Sequence, residues 1–172
     1  MKSAILIYYS RTGFTEQYAR WLEEMTGCPA VAYKDARKMD LKPYDIVLFA
    51  SRFRAGYIQK MKWLRKKDRR RKLKAVLATG AAPMGSPEAK REVSVSIRDE
   101  RFVCPVFYLE SGIRYEKMAR TEKFMMRLFL RLMGEQDNRK YQHSYDNSRR
   151  EYLQPVMRYL QELGAAEEEK NL

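Results

Sequence analysis

The sequence has very little histidine and cysteine. One histidine, His143, and two cysteines, Cys28 and Cys104, occur in 172 residues. No pattern of carboxylates surrounds the histidine, so the sequence predicts neither a metal site nor a catalytic triad. The cysteines have no CxxC or metal-ligand spacing and lie in apolar surroundings. We therefore expect two buried, unreactive thiols in a protein of the reducing cytoplasm.

Long apolar runs are also missing. No stretch of about 18 apolar residues occurs, so no segment is expected to span a bilayer. The apolar segment from Met1 to Tyr9 is too short for a signal peptide and has no small-residue cleavage site. Internal repeats and linkers are absent as well. The sequence predicts a single domain over residues 1–172, with an acidic tail at 165–172 that we expect to be frayed.

Acidic residues are the scarcer charged class. The chain has 35 Lys and Arg against 22 Asp and Glu, a formal net charge of +13. This charge predicts attraction to an anionic partner. Ten of the fifteen residues from Lys60 to Lys74 are basic, yet no nucleic-acid motif accompanies them, and Trp63 is their sole aromatic. Nucleic acid is therefore not the expected partner, and a solvated helix end, acidic lipids and an acidic redox protein stay open.

Short β-branched runs alternate with longer helical patterns along the chain. Strands are predicted over residues 3–9, 29–33, 44–51, 74–79 and 104–110. Helices are predicted over residues 15–26, 57–69, 87–97, 116–133 and 148–163. This alternation predicts the α/β class: a five-stranded, doubly wound parallel sheet of order 2-1-3-4-5 with helices on both faces. An insertion at about 112–147 follows the fifth strand.

The loop after the first strand combines hydroxyls, a glycine and a helix N-terminus. Its residues are Ser10, Arg11, Thr12, Gly13, Phe14 and Thr15. In a doubly wound sheet, ligands bind beyond the carboxyl ends of the strands, where the strand order reverses. Backbone N–H groups, hydroxyls, a helix dipole and Arg11 together suit a phosphate dianion. The alternative is that Thr12 or Thr15 only caps the helix, although capping needs one hydroxyl and the loop has three.

The sequence of this loop resembles a motif of a known family. S-R-T-G-F-T after a strand is similar to the flavodoxin phosphate-binding loop, usually written [ST]-x-T-G-x-T. The resemblance implies a flavodoxin-like fold and FMN (flavin mononucleotide) as cofactor, held by its phosphate. The chemistry would then lie on the flavin, and no catalytic side chain is predicted. The loop lacks the GxGxxG of dinucleotide folds and the lysine of a P-loop, which argues against NAD and ATP.

Two further loops are then expected to hold the flavin ring. They contain Ser51, Arg52, Phe53, Arg54, Ala55, Gly56 and Tyr57, and Thr79, Gly80, Ala81, Ala82, Pro83 and Gly85. Glycines there allow close approach of the backbone to a flat ring. Phe53 or Tyr57 would stack on the ring or else pack under a loop. Because these loops carry arginines and no acidic residue, we expect a flavin potential less negative than in acidic flavodoxins.

A second resemblance concerns the insertion. It is carried by G-I-R-Y at 112–115, F-M-M-R-L-F-L-R-L-M-G-E at 124–135, D-N-R-K at 137–140 and A-S-R-F-R-A-G-Y at 50–57. These segments are similar to the menaquinone-dependent protoporphyrinogen oxidase family, whereas the loop at 78–87 is similar to uncharacterised flavodoxin-domain proteins. The resemblance implies an FMN-dependent oxidoreductase with a quinone or other small molecule as electron partner. The alternatives are a non-catalytic electron carrier that docks an acidic redox protein, and a flavin-binding regulatory module.

The helical pattern at 116–133 has an unusually wide apolar face. At 100° per residue its apolar residues cover an arc of roughly 240°, while a helix that covers a core needs somewhat above 100°. The excess surface is expected to meet another element of the chain or a second subunit in a homodimer. Alternatively, this apolar surface would form a substrate groove for an apolar molecule or make a peripheral contact with the inner face of a membrane.

Overall fold

The computed structural model describes residues 3–54, 57–68, 72–91, 93, 104–132 and 139–168. The strands are β1 (Ala4–Tyr9), β2 (Ala30–Ala32), β3 (Ile46–Arg54), β4 (Tyr57–Ile58), β5 (Leu73–Gly80), β6 (Val106–Glu110), β7 (Gly112–Ile113) and β8 (Tyr145–Asp146). The helices are α1 (Phe14–Thr26), α2 (Tyr33–Ala36), α3 (Met61–Lys67), α4 (described over 87–91), α5 (Arg120–Leu132) and α6 (Gln154–Glu168). Turns of 3-10 helix cover Tyr115–Lys117, Arg139–Tyr141 and Arg150–Leu153.

The main sheet has five parallel strands in the order β2-β1-β3-β5-β6. Numbered alone, these strands follow the order 2-1-3-4-5, so the predicted fold class is confirmed. The chain passes from β1 to β2 on one side and then to β3 on the other. The strand order therefore reverses beside β1, and the carboxyl ends of β1, β3 and β5 lie along one edge of the sheet.

Alternate residues of the strands supply two cores. Leu6 and Tyr8 of β1 face the cluster covered by α1 and α6. Ile5 and Ile7 face the opposite cluster, which β4, α2 and α3 cover. Both faces of the sheet are thus buried, which explains why the central strands are continuous apolar runs without polar alternation.

The predicted helix over 57–69 is wrong in its first part. Strand β3 continues to Arg54, and the chain returns as β4, which pairs antiparallel with the end of β3. Lys60 then adopts a left-handed conformation with φ of 67°, and α3 begins only at Met61. A left-handed lysine follows from tertiary packing and has no signature in residue type.

The predicted helix over 116–133 begins later than expected. Residues Tyr115–Lys117 form a 3-10 turn and Met118 is extended, so α5 begins at Arg120. The Glu122 carboxylate accepts the N–H of Ala119 at 3.1 Å, an N3-to-N-cap bond of the capping-box kind that fixes the helix start.

Other helix boundaries differ in part from the expected ones. The last helix, α6, follows a 3-10 turn and extends to Glu168, into the segment expected to be a frayed tail. Part of the helix predicted at 87–97 and the tail beyond 168 lie outside the described residues.

A two-stranded ribbon closes the insertion at its base. Gly112 and Ile113 of β7 pair antiparallel with Asp146 and Tyr145 of β8. A Cβ atom at Gly112 would lie 2.1 Å from the carbonyl oxygen of Tyr145. The close approach of the two backbones therefore requires glycine at this position.

We expect Gly112→Ala to destabilise the protein by roughly 1–3 kcal/mol, because its methyl group overlaps a backbone atom that cannot rotate away. Urea unfolding measures the change. Gly164→Ala in α6 is the matched control: no atom lies within 4 Å of its added Cβ, so it should be neutral or stabilising by up to about 1 kcal/mol. Equal stability of the two variants would contradict the close packing of β7 on β8.

The two cysteines are unbridged, as the sequence predicts. Cys28 is buried and Cys104 is half-buried. Burial raises the pKa of both thiols to about 11, so both remain protonated at neutral pH. Within the described ranges, none of the helices is long and apolar enough to cross a membrane.

Candidate functional site

The first loop presents an uncapped helix N-terminus. Gly13, with φ of 94°, is the N-cap residue of α1, and no side chain caps the helix. The N–H of Gly13 donates to Ser10 Oγ at 3.1 Å, which fixes the shape of the loop. The alternative of a capping Thr12 or Thr15 is therefore wrong. The first N–H groups of α1 have no intrahelical acceptor, so they are available to an anion.

A buried pair of hydroxyls lies beneath this loop. Thr15 and Thr79, each 2% exposed, approach each other at 2.8 Å between their Oγ1 atoms. Their mutual hydrogen bond uses one of two hydroxyl protons, and the second can donate to a ligand. Both residues line the pocket described below. The pair thus joins the first turn of α1 to the carboxyl end of β5.

The insertion places Arg114 over the first loop, a position that the sequence does not predict. Arg114 Nη1 donates to the carbonyl of Thr12 at 3.2 Å. Its Nη2 donates to Gln17 Oε1 and to Asp146 Oδ2, each at 2.7 Å. The guanidinium lies 4.0 Å from the centroid of the Phe14 ring. Arg114 therefore clamps the loop between the β7–β8 ribbon and α1.

Gly13 is required here for two reasons. Its φ is positive, and a Cβ atom would lie 2.7 Å from Arg114 Nη1 and 3.6 Å from Lys117 Nζ. Two cations of the insertion thus stand beside the N-terminus of α1: Arg114, which is paired with Asp146, and Lys117. Arg114 belongs to the G-I-R-Y segment at 112–115, but no local sequence pattern predicts its contact with a loop about a hundred residues away.

A second cluster brings three arginines to one carboxylate. Glu122, which is 8% exposed, lies 2.5 Å from Arg52 Nη2, 3.6 Å from Arg54 Nη1 and 3.9 Å from Arg11 Nη2. Burial raises the pKa of Glu122, but the Ala119 N–H and the charges of Arg52 and Arg11 outweigh it, so its pKa lies below the ordinary value. The sequence places no acidic residue beside these three arginines, but in the fold Glu122 provides one negative charge. The cluster therefore has a net charge of about +2.

The third loop forms a fixed wall. The carbonyls of Gly80, Ala81 and Ala82 accept hydroxyls of Ser111 (2.9 Å), Tyr145 (3.1 Å) and Tyr108 (2.9 Å), respectively. Glu110, a buried carboxylate that the sequence analysis did not single out, accepts the N–H of Met84 at 2.7 Å and Asn147 Nδ2 at 2.8 Å. The loop after β5 is therefore held by β6 and by the ribbon of the insertion.

These elements enclose a pocket of about 130 Å³ at the carboxyl edge of the sheet. Nine of its lining residues are predicted site residues: Arg11, Thr12, Phe14, Thr15, Arg52, Phe53, Thr79, Gly80 and Ala81. The others come from the insertion and its approach: Ser111, Gly112, Ile113, Arg114, Met118 and Met126. The pocket is thus formed jointly by the three predicted loops and by the insertion.

The remaining predicted site residues lie outside this lining. Ser10 and Gly13 shape the first loop, and Arg54 reaches Glu122. Ser51 is buried and donates to the carbonyl of Gln59 at 2.8 Å. Tyr57, 54% exposed, lies in β4 away from the pocket, so Phe53 is the aromatic residue of that loop at the site. Ala82, Pro83 and Gly85 are part of the third loop, and Ala55 and Gly56 lie outside the described residues.

The residues present fit a phosphate-bearing cofactor at one end of the pocket. The uncapped helix and the hydroxyl pair suit the phosphate, and the buried Arg52 Nε has no hydrogen-bond partner within the described chain. The volume is below the roughly 300–1,000 Å³ of typical ligand pockets. A flat ring would therefore require the lining to open, and the unbranched side chains of Met118 and Met126 are the adaptable part of that lining.

The fold is that of a doubly wound α/β protein, and the pocket lies at the strand-order switch point beside an uncapped helix N-terminus. A family profile described as "flavodoxin domain" matches residues 5–140, so the chain belongs to the flavodoxin domain family. Members of this family typically bind FMN.

One solved structure to which the chain is similar is the rubredoxin oxygen:oxidoreductase of the anaerobe Desulfovibrio gigas. The identity is 14%, the TM-score is 0.41, and the match covers 66% of this chain. The chain spans 32% of that protein's length. A likeness at this level does not bear on function. No curated protein sequence matches the chain.

Proposed function

We propose that the protein binds FMN in this pocket and acts as an oxidoreductase whose electron partner is a small molecule such as a quinone or a porphyrinogen. The observation that carries the proposal is the uncapped N-terminus of α1 beneath Arg114, in a chain of the flavodoxin domain family. When bound, the flavin supplies the electron transfer, and the protein binds and orients it.

Each part of the pocket has a role in this proposal. The α1 N–H groups and the Thr12 hydroxyl donate to the phosphate, and the Thr15–Thr79 pair contributes its remaining proton. Arg114 and Arg11 supply positive charge close to the phosphate loop. The carbonyls of the third loop are held by three hydroxyls, so this loop provides a fixed wall for the cofactor.

The arginine cluster favours electron acceptance. Its charge of about +2 stabilises added negative charge nearby, which raises a reduction potential. This supports a flavin that accepts electrons from a substrate and passes them to a quinone, and it argues against donation of low-potential electrons. Glu122 makes the effect smaller than three unpaired arginines would.

The insertion supports a small apolar partner. Met118 and Met126 line the pocket beside the loops proposed for the ring, and methionine adapts to flat or irregular ligands. The resemblance of residues 112–115 and 124–140 to menaquinone-dependent protoporphyrinogen oxidases points to the same class of substrate.

A second candidate is a non-catalytic FMN electron carrier that docks an acidic redox protein. The net charge of +13 and the exposed cations of α3, among them Lys62 and Lys66, favour it. Electrostatic complementarity accelerates such encounters and makes them sensitive to salt.

Anaerobic stopped-flow kinetics decides between the two. Reduced holoprotein mixed with a soluble menaquinone analogue should be reoxidised with saturable kinetics, with two electrons and two protons passing to each quinone. Met126→Glu should slow this step, since it places a charge in the proposed quinone path. Reoxidation by an acidic ferredoxin alone, slowed by Lys62→Gln/Lys66→Gln, would instead establish the carrier.

A further inference from the structure

Helix α5 has three distinct faces. At 100° per residue, the side chains of Glu122 and Met126 point to one side, where Glu122 is buried among arginines and Met126 lines the pocket. The wide apolar arc expected from the sequence therefore divides. One part of it packs inward over the pocket, and the other part faces outward.

The outward part is a large exposed apolar surface, which we call the outer face. Its five members are Phe124, Met125, Leu128, Phe129 and Leu132, with exposed fractions from 43% to 81%. They span an arc of roughly 140° on the helix. Five large apolar side chains on one helix face form a patch that soluble monomers rarely leave in contact with water.

Cations flank the outer face along one edge. They are Arg120, Lys123, Arg127 and Arg131, and they occupy an arc of roughly 80° next to Phe124. Glu122, the single acid of α5, is turned away into the arginine cluster. The exposed surface of the helix therefore carries positive charge without an acidic counterpart on the same helix.

We propose that the outer face docks on an anionic phospholipid surface, with α5 lying in the plane of the interface. An apolar face bordered by Lys and Arg matches the acyl boundary and the negatively charged headgroups at once. The 13 described residues of α5 extend over about 20 Å, enough for the outer face to lie along an interface.

Charge argues against a second copy of this chain as the occupant. Two copies, each of net charge +13, would bring their basic edges together when their outer faces met. Like charges across an interface oppose association. The lipid proposal does not depend on FMN binding, because it rests on the side of α5 that faces away from the pocket.

Vesicle co-sedimentation tests the proposal. The protein should bind vesicles of phosphatidylcholine mixed with phosphatidylglycerol at low salt, bind pure phosphatidylcholine far less, and be released as salt rises. Arg120→Gln/Lys123→Gln/Arg127→Gln should lower the partition coefficient roughly a hundredfold, about fivefold for each cation. Leu128→Gln/Leu132→Gln should lower it at least about tenfold, because two leucines no longer enter the apolar boundary.

A matched control removes the same charge elsewhere. Lys34→Gln/Lys62→Gln/Lys66→Gln takes three exposed cations from α2 and α3, so it should reduce binding by less than about threefold if α5 is the docking element. In a Phe129→Trp variant, bromine-labelled lipids should quench the added tryptophan more strongly than Trp21 and Trp63.

Three outcomes would overturn the proposal. They are absence of binding at low salt, equal binding to neutral and anionic vesicles, and equal loss in the control and in the α5 variant. A concentration-dependent dimer that Leu128→Gln/Leu132→Gln dissociates would assign the outer face to a second copy.

Discussion

Replacing Glu122 by glutamine is expected to destabilise the protein by roughly 3–5 kcal/mol, the usual consequence of removing one partner from a buried ion pair. The carboxylate is 8% exposed and holds Arg52, Arg54 and Arg11, so its loss leaves three cations facing one another. The glutamine oxygen can still accept the N–H of Ala119, so the effect comes from the lost charge and not from the helix cap. Urea unfolding measures the global effect, and hydrogen exchange in α5 measures the release of the insertion.

Glu162→Gln is the matched control for this variant. Glu162 is exposed on α6, so its replacement should change the free energy of unfolding by no more than about 0.5 kcal/mol. If Glu122→Gln also changed the free energy of unfolding by no more than about 0.5 kcal/mol, the ion pairs between Glu122 and the three arginines would not stabilise the fold.

The same carboxylate predicts a pH dependence. Its folded-state pKa lies below the ordinary value of 4.5. The stabilisation is therefore fully present above pH 4.5 and is lost as pH falls through the folded pKa. The stability difference between wild type and Glu122→Gln should be constant at neutral pH and shrink below pH 4.5. A difference that persisted at low pH would show that the carboxylate charge is not its source.

Glu122 should also affect the potential of bound flavin. Two unit charges roughly 8 Å apart at an effective dielectric of about 20 interact by about 2 kcal/mol. Glu122→Gln removes a negative charge and should raise the reduction potential, while Arg52→Gln/Arg54→Gln should lower it. Spectroelectrochemical titration measures these potentials. Unchanged potentials in both variants would show that the arginine cluster does not act on the flavin.

Replacing Thr12 and Thr15 by valine is expected to weaken FMN binding at least a hundredfold. Valine keeps the shape of threonine and removes the hydroxyl. Each charge-assisted hydrogen bond to a phosphate contributes roughly 1.5–3 kcal/mol, and two such losses multiply in the dissociation constant. Thr15 also bonds to Thr79, so a loss of stability of about 1 kcal/mol accompanies the change. Fluorescence titration of FMN measures the affinity.

Two controls assign this effect to the phosphate. Riboflavin lacks the phosphate, so its weaker affinity should be nearly unchanged in the Thr12→Val/Thr15→Val variant. Thr121→Val alters an exposed threonine of α5 and should leave FMN affinity unchanged. Equal losses for FMN and riboflavin would mean that the two threonines support the pocket as a whole.

The parallel sheet could be predicted because its strands are buried on both faces. Runs such as I-L-I-Y at 5–8 and V-L-F-A at 47–50 have no polar alternation, which is typical of covered parallel strands. The first loop could be predicted for a similar reason. Its glycine and hydroxyls are contiguous, so a local pattern contains the whole feature.

The rest of the site depends on contacts between distant residues. Arg114 reaches Thr12 across 102 positions, and Arg52 reaches Glu122 across 70. No residue pattern near Glu122 predicts that this acid turns inward while its helix presents apolar and basic faces outward. The antiparallel pairing of β4 with β3 was missed because Tyr57 and Ile58 directly precede a basic segment with a helical pattern.

The insertion connects the proposed flavin site to the proposed lipid contact. Met126 of α5 lines the pocket, while Phe129 and Leu132 lie on the outer face of the same helix. If both proposals hold, an apolar quinone in the membrane would reach the flavin along α5. Anionic vesicles that contain menaquinone should then reoxidise reduced holoprotein faster than the same quinone in detergent.

Titration of the flavin-free protein with FMN and with riboflavin is the decisive experiment for the proposed cofactor. We expect one FMN per chain, with visible absorption bands of bound flavin. We also expect an affinity for FMN at least roughly a hundredfold above that for riboflavin, because the N–H groups of α1 and the hydroxyls of loop 10–15 would donate to the phosphate. Equal affinities for the two flavins, or no binding of either, would show that this pocket does not recognise a flavin phosphate.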